Sequence, residues 1–196
     1  FFPEVMKNLQ ALEGKLLFYT DIGSAHVKKV SDWNSSRNII IILDHHDTEA
    51  SPDPKVHNIN PELYGISGER EASSSTVAYS FAKALNQQNQ DLAHLAIIGS
   101  AEIPGPLIGL NENALHDATE KNIVQRIKTR SMEDVKILAL GKPLSYHRYS
   151  TLLSVLGSVG YYKNGPEIGV KACLEGWDVN VEKKAGELEE VRKKAN

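Results

Sequence analysis

Ile39-Ile40-Ile41-Ile42-Leu43-Asp44-His45-His46-Asp47-Thr48 is the stretch whose reading decides the fold. Four isoleucines and a leucine bounded by polar residues read as a strand buried on both faces, the kind found in parallel α/β sheets. Ligands in such sheets bind beyond the carboxyl ends of the strands. Asp44, His45 and His46 therefore put a carboxylate and two imidazoles where a divalent cation and a phosphate could be held. A strand that merely ends in a polar turn is the plainer alternative. It suffices for one Asp or one His, and less well for three such residues in a row.

A second apolar run ends in the same way. Leu16-Leu17-Phe18-Tyr19-Thr20 leads into Asp21-Ile22-Gly23-Ser24, an acidic residue followed by a glycine turn. Aspartates also cap helices, so Asp21 alone carries little. Taken with Asp44 and His45 it completes a candidate metal site, and mixed carboxylate and imidazole ligation suits manganese or zinc better than magnesium.

Tyr19-Thr20-Asp21-Ile22-Gly23-Ser24 and Ile42-Leu43-Asp44-His45-His46 resemble the second and third motifs of the DHH phosphoesterase superfamily. That superfamily includes RecJ exonucleases, oligoribonucleases and manganese pyrophosphatases. Asn58-Ile59-Asn60-Pro61-Glu62-Leu63-Tyr64-Gly65-Ile66, followed by Glu69-Arg70-Glu71-Ala72-Ser73, is similar more narrowly to archaeal RecJ-like proteins. The resemblance covers residues 1 to 145 or so, with the motifs in the expected order. It implies an α/β fold, a parallel-sheet domain with helices on both faces followed by a small helical C-terminal part. It also implies that Asp21 bridges two metals, that His45 binds the second with Asp44 alongside, and that His46 contacts the phosphate.

The chain departs from that pattern in two places. Active members carry an Asp-x-Asp motif on an earlier strand, and only Glu4 and Glu13 precede Asp21 as acidic residues. Residue 1 is Phe, so residues preceding it would account for this departure. The second is internal. The fourth motif places an aspartate four residues after a glycine, and counting from Gly99 that position is Ile103; Glu102 falls one residue early and is expected to point elsewhere unless the turn is reshaped. Two-metal phosphoryl chemistry needs ions about 3.5–4 Å apart, with carboxylates to offset their mutual repulsion. On this reading Asp21, Asp44, His45 and His46 are vestigial as catalytic residues. No cofactor is required, and at most a weakly bound Mn2+ is retained.

Composition bounds the remaining classes. The chain has 196 residues, 41% of them hydrophobic, which is ordinary for a soluble α/β protein with a sizeable core. A single cysteine, Cys173, excludes an intramolecular disulfide framework. No apolar stretch approaches the roughly 20 residues of a membrane span, and no secretory signal is visible. An intracellular place, cytoplasm or nucleoid, is expected, with no membrane partner. A formal net charge of −3 gives no global attraction to nucleic acid, so any contact with single-stranded DNA needs a local patch.

Helix and turn signals organise the chain. Pro3 to Glu13 reads as a helix, with Pro early and Gly14 after the end. Strands follow at about 16–21 and 38–44 and at Val56-His57-Asn58-Ile59. A helix from about Ser73 to Asn86 is expected to bury Val77, Phe81 and Leu85, and Asp91 to cap the next helix, which ends at Gly99. A further helix is expected from Asn111 to Lys128. Gly141-Lys142-Pro143 is a candidate boundary between a DHH-like domain at 1–140 and a helical segment at 141–196. Short helices are expected there at about 149–159 and 165–176, with a charged one from Asn180 to Lys194. The second, DHH-associated domain of active RecJ-like enzymes is not in the sequence.

Other residues carry weaker signals. His26, His57, His94, His116 and His147 stand singly and read as surface histidines. Ser73-Ser74-Ser75-Thr76 at a helix start could bind phosphate or simply cap the helix. Arg70, between Glu69 and Glu71, is a weak phosphate-binding candidate. Three readings follow. One is a non-catalytic RecJ-like replication factor, a scaffold that binds the GINS complex and the MCM ring. Another is a manganese-dependent single-strand exonuclease or oligonucleotide phosphoesterase represented by a fragment. The third is a small-molecule phosphoesterase.

Overall fold

A computed structural model describes residues 3–128, 133–139 and 143–157. The chain divides into two compact units, Phe1–Pro143 and Leu144–Asn196. In the first, helix α1 (Pro3–Gln10) precedes strand β1 (Leu16–Thr20), helix α2 (Val27–Asn34) and strands β2 (Ile39–Leu43) and β3 (Val56–Ile59). These are followed by helices α3 (Ser74–Leu85), α4 (Ala93–Gly99) and α5 (Leu110–Glu120) and strands β4 (Val124–Lys128) and β5 (Glu133–Ile137). The described part of the second unit is a two-residue strand, β6 (Leu144–Ser145), and helix α6 (Tyr146–Gly157).

The β1-β2-β3 sheet is parallel, with β2 in the centre. Alternation along β2 sends side chains to opposite faces. Ile40 and Ile42 join Val27 and Val30 of α2 and Val56 of β3 in one core. Leu43 packs on Val77 of α3 and Ala72 in another, with Ile41, Ile59 and Phe81 against them. The isoleucine run is thus covered by helices on both sides, as its composition requires. Ile42 is fully buried, so truncating it to Ala should remove about 2–5 kcal/mol of stability.

Register brings the chemistry to one line. Thr20 pairs with Leu43 and Leu43 with Ile59, so Asp21, Asp44 and Asn60 leave the sheet side by side. The ladder continues one step past the strands: the Asp21 amide donates to the Leu43 carbonyl at 3.0 Å, and the Asp44 amide to that of Ile59 at 3.4 Å. On the outer strand β1, Leu16 and Phe18 are each about half exposed, as is Ile39 at the start of the central strand. Phe18 meets Phe81 edge to face, with ring centroids 6.1 Å apart.

Several expected elements come out differently. Leu85 lies at the end of α3 and is 71% exposed, so the expected stripe closes at Phe81. Asp91 does not cap α4; Leu92 holds that position, and Asp91 lies 3.7 Å from Lys121 Nζ instead. The helix expected through Lys128 stops at Glu120. Asn122 takes a left-handed φ of 56°, and Val124 to Lys128 then pair antiparallel with β5. Burial of Val124, Val135 and Ile137 on that hairpin outweighs the helical preference of the intervening charged residues. Expected helices at 165–176 and 180–194 lie outside the described residues. Among the described residues no helix is long and apolar enough to cross a membrane.

Asp117 ties α5 to α3. Its Oδ2 accepts from the Tyr79 hydroxyl at 2.6 Å and from Lys83 Nζ, and its Oδ1 from Gln90 Nε2 at 3.2 Å. Burial alone would raise its pKa, but Lys83, Tyr79 and Gln90 together hold it below the ordinary 3.8. A carboxyl lowered in this way stabilises fully above its ordinary value and loses that contribution as pH falls through the folded-state value. Asp117→Asn should therefore cost about 1–3 kcal/mol at pH 7. In urea unfolding curves the deficit against wild type should shrink as the pH is taken below 3.8.

Candidate metal centre

The three strand ends are joined by a network centred on Asp44, which is 1% exposed. Its Oδ2 accepts from the Ser24 amide at 3.0 Å, and its Oδ1 from the His45 amide at 2.8 Å and the His46 ring Nδ1 at 2.7 Å. Ser74 Oγ at the start of α3 approaches the same Oδ1 at 3.5 Å. Burial pushes the Asp44 pKa up, but the hydrogen bonds from His46, Ser24 and His45 outweigh it and hold the group below its ordinary value. Most of its acceptor capacity is thus spent on holding neighbours in place.

His46 receives the opposite effect. Its bond to Asp44 raises its pKa above 6.5 against the effect of burial, and the charges of Asp44, Asp21 and Glu102 add to the rise. The ring is anchored to Asp44 through Nδ1, is about half exposed and keeps Nε2 clear of that bond. Asn60, fully buried, fixes the backbone here: its Nδ2 donates to the His46 carbonyl at 2.8 Å and to Ser24 Oγ at 2.9 Å. The sequence reading quoted Asn60 only as part of a motif and missed this role.

His45 turns the other way. Its Nδ1 lies 2.7 Å from the Gly68 carbonyl, an acceptor, so Nδ1 carries the proton and Nε2 is left with its lone pair in the neutral ring. That Nε2 lies 3.6 Å from Asp21 Oδ1 and 4.0 Å from Glu102 Oε1. Gly68 permits the approach, because a Cβ there would lie 1.7 Å from the His45 carbonyl oxygen. Glu62 and Glu71 hold the Gly68 turn by accepting from the amides of Gly68 and Ser67 at 2.6 and 2.9 Å. Asp21 itself takes a left-handed φ of 60°, which aims the half-exposed carboxylate at the ring.

Asp21, Asp44, His45 and His46 each offer a ligand atom within 4.8 Å of the others. The sequence thus located four residues that the fold brings together. Glu102 differs from expectation. Ser100–Glu102 form a 3-10 turn after α4, in which each residue advances about 120° instead of 100°. The tighter winding swings Glu102 towards His45, and Ile103 turns into the core at 7% exposure. Burial and the nearby Asp21 charge raise the Glu102 pKa.

The weaker candidates fall elsewhere. Arg70 is exposed on the Ser67 to Glu71 turn and, among the described residues, bonds to none of the centre's side chains. Ser73 and Thr76 cap α3 reciprocally in a capping box, while Ser74 reaches Asp44. His116 does not stand singly, since it groups with Asp117 and Glu120. There Asp117 is already satisfied by Tyr79, Lys83 and Gln90.

Residues 2–100 match the model of the DHH family, N-terminal domain. The chain belongs to the DHH family. An uncharacterized protein of Methanocaldococcus jannaschii is 30% identical to it over 114 residues, covering 56% of this chain and 26% of that protein. The matched stretch is thus about a quarter of that relative's length. DHH membership suggests a phosphoesterase-type superfamily, and the donor set would fit one divalent ion. Two atoms each about 2.1 Å from one ion lie no more than about 4.2 Å apart, and His45 Nε2 and Asp21 Oδ1 meet that bound at 3.6 Å.

Gly68→Ala should cost about 1–3 kcal/mol through the clash with the His45 backbone. Thermal melts measure the loss, and a variant that melts like wild type would contradict the packing. Asp44→Ala leaves the buried amides of Ser24 and His45 without an acceptor and should cost at least about 2 kcal/mol, read by urea unfolding.

Proposed function

We propose that this DHH domain is a metal-dependent phosphodiester-binding centre of the RecJ-like kind, acting on single-stranded nucleic acid or short oligonucleotides. The observation that carries the reading is His45 Nε2, freed by the Gly68 carbonyl and facing the carboxylate of Asp21. Asp21 and His45 would hold one divalent cation, with Mn2+ suited to mixed carboxylate and imidazole ligation. When bound, the ion supplies Lewis-acid polarisation of a phosphoryl oxygen. His46, oriented by Asp44 and with its pKa raised by that bond, would meet a phosphate oxygen through Nε2. The buried network of Asp44, Ser24 and Asn60 holds both histidines rigid, so little reorganisation is needed when the phosphate arrives.

Hydrolysis on these residues is expected to be slow relative to a complete two-ion centre, since the described residues place ligands around one position. With Mn2+ and a 5′-labelled single-stranded oligonucleotide, the protein should form products that disappear on chelation. His46→Ala should lower the rate about 10²-fold, and Asp21→Ala at least as much. Neither metal-dependent binding nor cleavage of the oligonucleotide would refute the reading.

A second reading rests on the other edge of the sheet. Leu16 and Phe18 on β1, with Ile39 beside Leu16 on β2, leave an apolar strip, and among the described residues no strand pairs with the outer edge of β1. Unpaired edges recruit other chains. A non-catalytic scaffold role, with a GINS subunit docked there and the MCM ring as a further partner, is consistent with that strip. Phe18→Lys should abolish such a complex in size-exclusion chromatography and leave Mn2+ binding intact. Co-elution of the Phe18→Lys protein with GINS would remove this surface from consideration.

A further inference from the structure

We propose that the exposed ring of Tyr64 is a stacking platform for one unpaired base of the strand whose phosphate the centre holds. This inference rests on the phosphodiester-binding reading above and deepens it, assigning a contact to the base where that reading assigns contacts to the phosphate alone. Tyr64 is 77% exposed, the most open of the large apolar side chains among the described residues. Phe18, about half exposed, has Phe81 against it. Among the described residues no ring packs on Tyr64.

The backbone beneath this ring is firmly held. Tyr64 closes the 3-10 turn Pro61–Tyr64, whose cap residue Asn60 accepts from the Glu62 amide at 2.9 Å and whose far end is the left-handed Gly65. The Ile66 amide returns to the Pro61 carbonyl at 3.1 Å, and the Glu62 carboxylate accepts from the Gly68 amide at 2.6 Å. Both ends of the segment are fastened to the centre: Asn60 donates to the His46 carbonyl, and the Gly68 carbonyl meets His45 Nδ1. Tyr64 stands midway between these anchors. Four steps along the turn, at about 2 Å of rise each, put its backbone about 8 Å from that of Asn60, a distance on the scale of one nucleotide. A ring carried on a preorganised turn loses little freedom when a base stacks on it, and every base has a face to offer. A single ring matches one base in size, whereas a stable protein interface buries about 800 Å² on each partner.

Fluorescence anisotropy of two labelled single strands, one bearing bases and one abasic with the same number of phosphates, tests this on the whole chain in Mn2+. Wild type should bind the base-bearing strand more tightly than the abasic one. Tyr64→Ala should weaken binding of the base-bearing strand at least about fivefold and leave binding of the abasic strand unchanged. Tyr64→Phe and Tyr64→Trp should keep the wild-type preference, since each retains a flat ring. Wild-type affinity of Tyr64→Ala for both strands would overturn the platform and leave the phosphodiester reading standing. An equal loss on both strands would make Tyr64 a support for the turn and also overturn it. Failure of wild type to bind either strand in a metal-dependent way would overturn the phosphodiester reading itself, and this assignment with it.

Discussion

A single buried carboxylate organises this domain. Asp44 stands at the end of the central strand and draws donors from three directions: the Ser24 amide after β1, the amide and ring that follow β2, and Ser74 at the head of α3. A carboxylate so deep is tolerated only because it is fully met. The cost of burying it is offset by hydrogen bonds to charged or polarised donors, which are stronger than neutral ones. Removing it would leave the Ser24 and His45 amides and the His46 ring without their partner, and the loops that carry His45 and His46 would lose their common anchor.

The division of labour between the two histidines follows from that anchor. Adjacent residues at a strand end point to different sides, so one imidazole is turned to Asp44 and its neighbour to the Gly68 carbonyl. The Asp44 bond raises the His46 pKa, whereas the Gly68 carbonyl engages His45 Nδ1 and leaves its Nε2 facing Asp21. Identical side chains acquire different chemistry from which acceptor reaches Nδ1.

Much of this was legible in the sequence. The isoleucine run, the two strands ending in Asp and the Asp-His-His order fixed the parallel sheet and located four of the clustered residues, because both signals are local and periodic. Contacts that depend on distant chain were not legible. Nothing in the run around Gly68 says that its carbonyl meets a ring 23 residues earlier in the chain. Spacing arguments assumed α-helical winding after Gly99 and so misdirected Glu102. Val124 and Ile127 are spaced three apart, as on a helix face, and pairing with β5 makes the segment a strand instead. Leu85 looks like core by its spacing, yet no neighbour covers it at the end of α3.

Asp21 also places function and fold in opposition. Its left-handed backbone costs an L-residue roughly 1 kcal/mol or more, a penalty that glycine escapes. A population of variants sorted only for resistance to heat would therefore drift towards glycine at this position, and would shed the carboxylate as it did so. Sorting in the presence of a divalent cation would pull the other way, because binding energy then enters the stability being selected. Which residue such a pool retains at position 21 becomes a readout of whether the centre is loaded under the conditions of growth.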